Sequence, residues 1–258
     1  MRIVMIGAGR LATQLAPALK KAGHDIVCIY SRTMASAETL ARLTGSMAVC
    51  DTDALPTDAD IYILSVKDSV LAELIPQVTK GRVGRVFLHT AGSIPMGIFD
   101  GSAHRYGVMY PMQSFSKERA VDFSVIPVFI EGSDDETLDV IRRLANSVSN
   151  NVRVLSSADR QYLHLAAVFA CNFVNHCYAM AAQLLEEHGM TFDVMLPLID
   201  ETARKVHELH PLQAQTGPAV RFDENVINHQ IQLLGQHPQM QELYERLSHH
   251  IHEMILRK

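Results

Sequence analysis

Gly7, Gly9 and Ala12 stand in the spacing G-x-G-x-x-A directly after the apolar run at residues 2–7, and that spacing is suited to holding phosphate. A glycine at the first position permits a tight turn, one at the second lets the backbone approach a pyrophosphate, and a small third residue lets a helix pack closely on the strand. The opening turn of that helix offers unpaired N–H groups and the positive end of its dipole to an anion. Gly7, Ala8, Gly9, Arg10 and Leu11 are accordingly the candidate phosphate loop. About twenty residues further on, an acidic residue would bond the ribose 2′-hydroxyl of NAD. Here the second apolar run ends Tyr30-Ser31-Arg32-Thr33, and Asp25 falls at its start. Ser31, Arg32 and Thr33 bring two hydroxyls and a guanidinium, which suit a 2′-phosphate through charge-assisted hydrogen bonds, so the expected cofactor is NADP(H). The alternative is a solvated Arg32 that meets no ligand.

A dinucleotide at such a site lies beyond the carboxyl ends of the strands, so the residues at other strand ends are the next candidates. Ser65, Val66 and Lys67 follow one apolar run and are expected to line the cofactor; Lys67 and the adjoining Asp68 read equally as a solvated turn. His89-Thr90-Ala91-Gly92-Ser93 follows another, with Ser93 a polar contact for a reacting group. An imidazole titrates near neutrality, so His89 is a candidate proton donor, or else a buried histidine bonded to backbone. Gln113 and Ser114, after Tyr110-Pro111-Met112, are positioned to line a pocket or to serve a plain loop. Farther along, His164, Val168, Cys171, Asn172 and Asn175 fall within about 100° of arc at 3.6 residues per turn. His164 and Asn172 are therefore candidate catalytic groups, or partners in helix-to-helix hydrogen bonds. Thr216 and Arg221, in the stretch 213–221, are candidate substrate contacts; Arg221 suits a carboxylate or a salt bridge to Asp223.

These residues need a scaffold, and its pattern is alternation. Apolar runs at 2–7, 25–30, 61–66 and 85–90 have strand length and lack the polar alternation of a half-exposed strand, as parallel strands buried on both faces do. Between them, Leu11, Leu15, Ala18, Leu19 and Ala22 recur at helical spacing before Gly23, and a second short helix at 37–43 stops at Gly45. Pro17 inside the first helix predicts a kink. Further strands are expected at 125–131 and 152–155 around a helix at 134–146. From Ser156 the pattern is helix only: a capped helix to about His188, then helices at about 192–209, 225–234 and 238–256. The predicted fold is α/β, an N-terminal Rossmann doubly wound, mostly parallel sheet with a C-terminal all-α domain. The predicted domains are a Rossmann NADP-binding domain at 1–152 and a helical substrate and dimerisation domain at 153–258.

Composition narrows the function further. A net charge of −5 with interspersed signs gives nothing for a polyanion or an anionic membrane to bind, so neither is an expected partner. The longest apolar stretch, about 162–174, is short for a bilayer, and a cytoplasmic protein is expected. Cys28, Cys50, Cys171 and Cys177 form no C-x-x-C pair and read as reduced core residues. His249, His250 and His252 lack the spacing and the cysteine companions of a zinc site, so no metal is expected.

Several motifs together carry a resemblance. The glycine loop with Ser31-Arg32-Thr33, the strand end at 89–93, Tyr110-Pro-Met-Gln-Ser-Phe115, the stretch Tyr162 to Asn172 and Gln215-Thr-Gly-Pro-Ala-Val-Arg221 resemble a bacterial family of NADP oxidoreductases that joins a Rossmann-like domain to a helical domain of unknown function. More distantly the chain is similar to pyrroline-5-carboxylate reductase, deazaflavin-dependent NADP reductase, prephenate dehydrogenase and the 6-phosphogluconate and 3-hydroxyisobutyrate dehydrogenases. The resemblance implies NADP(H) chemistry on a small molecule and a homodimer through the helical domain. The hydroxyacid dehydrogenases of that group use a lysine one turn before an asparagine on the first long helix; Asn172 matches the amide, but Val168 occupies the lysine's place. Prephenate dehydrogenases carry a histidine where Tyr110 stands. The expected reaction is hydride transfer to or from a small C=O or C=N substrate, with His164 or His89 supplying the proton. The rivals are a non-catalytic NADP-binding sensor or assembly protein, and a Rossmann-like domain that binds no nucleotide.

Overall fold

A computed structural model describes residues 1–257. Among them eight strands form one sheet: β1 (Arg2–Ile6), β2 (Asp25–Tyr30), β3 (Met47–Val49), β4 (Ile61–Leu64), β5 (Val86–His89), β6 (Arg105–Pro111), β7 (Val128–Gly132) and β8 (Val152–Val154), in the spatial order 3-2-1-4-5-6-7-8. All neighbouring pairs are parallel except β6 with β7. The connecting helices are α1 (Arg10–Lys21), α2 (Met34–Thr44), α3 (Asp68–Thr79) and α4 (Asp135–Asn146). Strand order reverses between β1 and β4, so the crevice for a ligand opens beyond the carboxyl ends of those two strands.

The burial pattern explains why the first runs look uniformly apolar. Successive side chains of a strand point to opposite faces. Ile3 and Met5 of β1 join one core with Ala12 and Leu15 of α1, Leu40 of α2 and Ile141 and Leu144 of α4. Val4 and Ile6 join a second core with Leu71, Ile75 and Val78 of α3 and with Phe99. Both faces of the central strands are thus dry, and a polar residue on either would lose its water.

Local differences from the sequence pattern have physical causes. Pro17 lies inside α1, which runs unbroken from Arg10 to Lys21, so the helix itself is kept as expected. β3 is only three residues long, and no period of two can be recognised over so short a run. α3 contains Pro76, which masks a stripe of buried residues at helical spacing: Leu71, Leu74, Ile75 and Val78.

The chain divides into two compact units, residues 1–172 and the residues from Phe173 onward. The first unit contains the sheet and α5 (Ser157–Ala167), whose N-cap Ser156 accepts from the Asp159 backbone N–H at 3.1 Å. After α5 the chain turns π-helical over Val168–Phe173. The second unit holds α6 (Val174–Glu187), α7 (Leu196–Glu208), the four-residue helices α8 (Pro211–Ala214) and α9 (Pro218–Arg221), then α10 (Glu224–Leu233) and α11 (Pro238–Leu256). Within that unit α9 and α10 lie against α11. The helix running from Ser157 to Glu187 is 31 residues long and contains an 18-residue stretch of mean hydropathy 1.3, so by length and composition alone it could cross a membrane; residues 162–174 understate its reach. Its apolar stretch is unburied, and this also corrects the reading of the cysteines. Cys28 alone is buried, which pushes its thiol up to about 11, while Cys50, Cys171 and Cys177 are exposed.

Candidate active site

The end of β1 is stitched on both sides, with Gly7 N–H donating to the Tyr30 carbonyl at 2.7 Å and Ser65 N–H donating to the Ile6 carbonyl at 2.7 Å. This brings two backbones so close that a Cβ on Gly7 would sit 2.1 Å from the Ser65 carbonyl oxygen. Gly7 also has φ +115°, a conformation open to glycine and strained for other residues. Gly9 has the opposite surroundings. It is the N-cap of α1, no side chain caps that helix, its first turn holds no acid, and a Cβ on Gly9 would meet nothing within 4 Å. The opening turn of α1 is therefore capped by no side chain, with room beside Gly9, which suits a phosphate. Ala12 is buried against the sheet, Ala8 and Leu11 are half-buried at the edge of the same core, and Arg10 is exposed.

At the tip of β2, Ser31 is half-buried and donates its N–H to the Val49 carbonyl at 3.1 Å. Arg32 is exposed and belongs to none of the ion pairs of the described residues. Thr33 is the N-cap of α2, yet its hydroxyl turns to Ser36 Oγ at 2.9 Å and leaves the helix end uncapped by a side chain. A guanidinium, a hydroxyl and a second open helix end thus adjoin one another. Ser65 is buried at the end of β4, Val66 is half-buried, and Lys67 is the exposed N-cap of α3.

The ends of β5 and β6 meet α5 in a polar cluster within the first unit. Tyr110 Oη lies 3.0 Å from His164 Nδ1. The contact is possible because residue 92 is glycine, since a Cβ there would stand 2.6 Å from His164 Nδ1 and 2.9 Å from Tyr110 Cζ. Burial, foremost, pushes the Tyr110 phenol above its ordinary range. Alongside, Ser93 Oγ donates to the Asp68 carboxylate, and Gln161 Nε2 donates to the Ser93 carbonyl at 3.1 Å. Asp68, Ser93 and Gln161 thereby tie the start of α3, the end of β5 and α5 together.

His89 takes the other course. It is wholly buried and stacked on Phe99, and its Nδ1 accepts from the Ala91 N–H at 3.2 Å while Nε2 has no hydrogen-bond partner. Burial, then the positive charge of Arg160, lowers its pKa to about 4. A neutral, wholly buried imidazole that accepts from a backbone N–H supports the alternative reading of His89, a buried histidine bonded to backbone.

Sequence reasoning passed over the group that seats α5. Arg160 is wholly buried, with Nη1 donating to Glu131 Oε2 at 2.6 Å and Nη2 to the Ile94 carbonyl at 2.6 Å. Glu131 also accepts from the N–H and hydroxyl of Ser157, at 2.9 and 2.6 Å. The available signal was Glu131 itself, an acid closing the apolar run of β7 and so in need of a partner.

The remaining candidates belong to several elements, in one unit or the other. Asn172 is exposed within the π-helical turn. That turn closes i to i+5 instead of i to i+4, so the stripe reckoned at 3.6 residues per turn from His164 to Asn175 does not hold across it. Gln113 and Ser114 are exposed and line a cavity of about 850 Å³ together with Arg10 and the segment that follows them. In the second unit, Thr216 is exposed and its carbonyl accepts from Gln215. Arg221 ends α9; Asp223 caps α10 by accepting from Val226, and no ion pair joins the two among the described residues. No group of three or more potential metal ligands occurs among the described residues.

A Rossmann-like domain family matches residues 1–111, and a family of unknown function, DUF2520, matches residues 126–251. Among solved structures the chain is similar to a Bacteroides fragilis protein provisionally named an NADP oxidoreductase, with 52% identity over 98% of each chain and a TM-score of 0.94. It is also similar to an imine reductase from Myxococcus stipitatus solved with NADP+, at 14% identity over 100% of this chain and 93% of that one, with a TM-score of 0.65. A 1-pyrroline-5-carboxylate reductase from Streptococcus pyogenes matches at 14% identity over 98% of each chain, with a TM-score of 0.61. The last two likenesses are of fold.

Proposed function

The chain belongs to the family that joins a Rossmann-like domain to the DUF2520 domain, and from that premise we propose that it is an NADP(H)-dependent oxidoreductase acting on a small substrate with a C=O or C=N bond. The observation that carries this reading is the pair of glycines at the β1–α1 turn. Gly7 is forced by the approach of the Ser65 carbonyl, and Gly9 leaves open the space before an uncapped helix end. Gly7 to Leu11 would hold the diphosphate, and Ser31, Arg32 and Thr33 the 2′-phosphate. Ser65, Val66 and Lys67 would border the coenzyme at the end of β4. The likeness to enzymes named for reducing an imine and a pyrroline supports C=N as one substrate class.

When bound, the coenzyme supplies a hydride. What the chain must add is a proton for the oxygen or nitrogen that receives electrons, and His164 is the proposed donor, supported by its contact with Tyr110 Oη at 3.0 Å. In this reading the doubly protonated imidazole donates through Nδ1 to Tyr110 Oη and releases its Nε2 proton to the substrate, which leaves a neutral histidine in a fixed tautomer. Burial keeps Tyr110 protonated, so its oxygen remains a neutral acceptor. Ser93 and Asn172 are the proposed polar contacts to the reacting group, and Gln113 a proposed contact to the rest of the substrate. A homodimer is proposed through the helical domain, because the long helix leaves Tyr162 76% and Leu165 52% exposed.

The test is calorimetric titration of NADPH and NADH into coenzyme-free protein, followed by NADPH consumption against a panel of keto acids and cyclic imines. Saturable binding that favours NADPH, and an Arg32→Ala variant that loses this preference by about tenfold or more, is the expected result. Absence of binding by either coenzyme refutes the proposal.

A further inference from the structure

The cavity of about 850 Å³ beside Arg10 is walled almost wholly by one irregular segment, residues 113–122 with Val125. Both shoulders of that segment are fixed. Phe115 and Val121 pack against the core, Phe115 stacks on Phe123 with ring centroids 5.8 Å apart, and Gln14 of α1 donates its Nε2 to the Ser116 carbonyl at 2.8 Å. Between the shoulders, Lys117, Glu118 and Arg119 are exposed. The cavity wall therefore carries three cations, Arg10, Lys117 and Arg119, against two acids, Glu118 and Asp122. Asp122 is already engaged, since its carboxylate accepts from the Ser124 N–H at 2.9 Å. None of the three cations belongs to an ion pair of the described residues. In a chain of net charge −5 this wall carries one positive charge in excess around a hollow, which favours an anion there.

We propose that Lys117 and Arg119 form a clamp that closes over the diphosphate of the bound coenzyme from the side opposite the glycine loop, with Arg10 completing it. The inference rests on the coenzyme reading above and adds a second, cationic half to the site. The cavity and its charges carry it, and the glycine loop contributes only the neighbouring half. It assigns a function to a segment between β6 and β7 that lies outside the dinucleotide motif. A guanidinium can bind phosphate oxygens through two parallel N–H groups, whereas an ammonium acts as a point charge, so Arg119 is the more specific of the two.

Titration calorimetry on the whole chain tests this with NADPH, NADH and adenosine 2′-monophosphate. Both target residues are exposed, and thermal unfolding verifies that Lys117→Ala/Arg119→Ala and the charge-reversed Lys117→Glu/Arg119→Glu remain folded. The first variant is expected to raise Kd for NADPH and NADH by the same factor, about tenfold, and the second by more, with the nucleoside monophosphate bound as in the parent. The affinity of the parent should also fall more steeply with added salt than that of the first variant. If the parent binds both coenzymes and both variants match it within about twofold, the clamp is wrong and the coenzyme reading stands. A loss confined to NADPH also overturns the clamp, by moving the cations to the 2′-phosphate. If the parent binds neither coenzyme, both readings fall together.

Discussion

Two glycines two residues apart should respond to the same substitution in opposite ways. In Gly7→Ala the new methyl would lie 2.1 Å from the Ser65 carbonyl oxygen, on a backbone with φ +115°. Strain of that kind costs about 1–3 kcal/mol, and the overlap about 1–3 kcal/mol more, a large share of a typical domain's stability. The melting temperature should fall by roughly 5–20 °C, at about 2–4 °C per kcal/mol for a chain of this size. In Gly9→Ala the methyl meets no protein atom, so folding should lose only the difference between glycine and alanine at an N-cap, about 1 kcal/mol. The same methyl fills the approach to the N–H groups of α1. Losing two charge-assisted hydrogen bonds at about 1.5–3 kcal/mol each raises Kd for NADPH by roughly 10² to 10⁴. Scanning calorimetry and isothermal titration on both variants separate the two effects. A Gly9→Ala protein that binds NADPH within threefold of the parent would refute the claim that the open space before α1 is where phosphate sits.

Other consequences follow from distances and burial. Gly92→Ala must drive the His164 and Tyr110 rings apart by roughly 1 Å to reach ordinary contact. It should lower kcat by about 100-fold with the NADPH Kd unchanged, and an unaltered kcat would count against the proton-donor assignment. Glu131→Gln leaves the buried Arg160 unpaired, and denaturant titration should show a loss of about 3–5 kcal/mol, much of it restored when Arg160→Met is added; a loss below 1 kcal/mol would show that water reaches the site. His89 has its pKa lowered to about 4 from an ordinary 6.5, so the unfolded chain binds its proton more readily than the folded one. Its contribution is complete above pH 6.5 and lost as pH falls to about 4, some ~3 kcal/mol in all. Unfolding free energies of His89→Phe measured from pH 7 to 4 should lack that component, and identical slopes in the two proteins would refute it.

Much of the first unit is legible because both of its periodicities are strong. Runs of four to six apolar residues can be buried on both faces only inside a covered parallel sheet, and the glycine loop, strand end and helix start occupy fixed places in that arrangement. The site was harder to read, and three residues show why. His89 and His164 are equivalent as letters, since both sit in apolar stretches near an expected cleft. Only three dimensions show that Gly92 admits His164 to Tyr110, while Phe99 and the Ala91 N–H hold His89 inside. The expected position of Asn172 rests on a constant 100° per residue, and a single π-helical turn, which has no dependable sequence signature, is enough to break that period.

The buried Glu131–Arg160 pair bears on how His164, the proposed proton donor, is held. An ion pair taken out of water gives little net stability unless further hydrogen bonds support it; here Ser157 and the Ile94 carbonyl add two, while Arg160 Nε stays without a partner among the described residues. The pair joins β7, the turn after β5 and the first turn of α5. Those are the elements that set the depth and rotation of the helix bearing His164, four residues beyond Arg160. Aliphatic packing could supply comparable free energy but would let the helix slide, because it has no preferred direction. A charge-assisted network with fixed donors and acceptors does not tolerate an ångström of slip, and a proton donor is sensitive to displacement on that scale. The costly polar interior at this point is therefore coherent with the proposal that α5 presents the His164 imidazole in one place. On this argument Glu131→Gln with Arg160→Met should recover stability without recovering kcat.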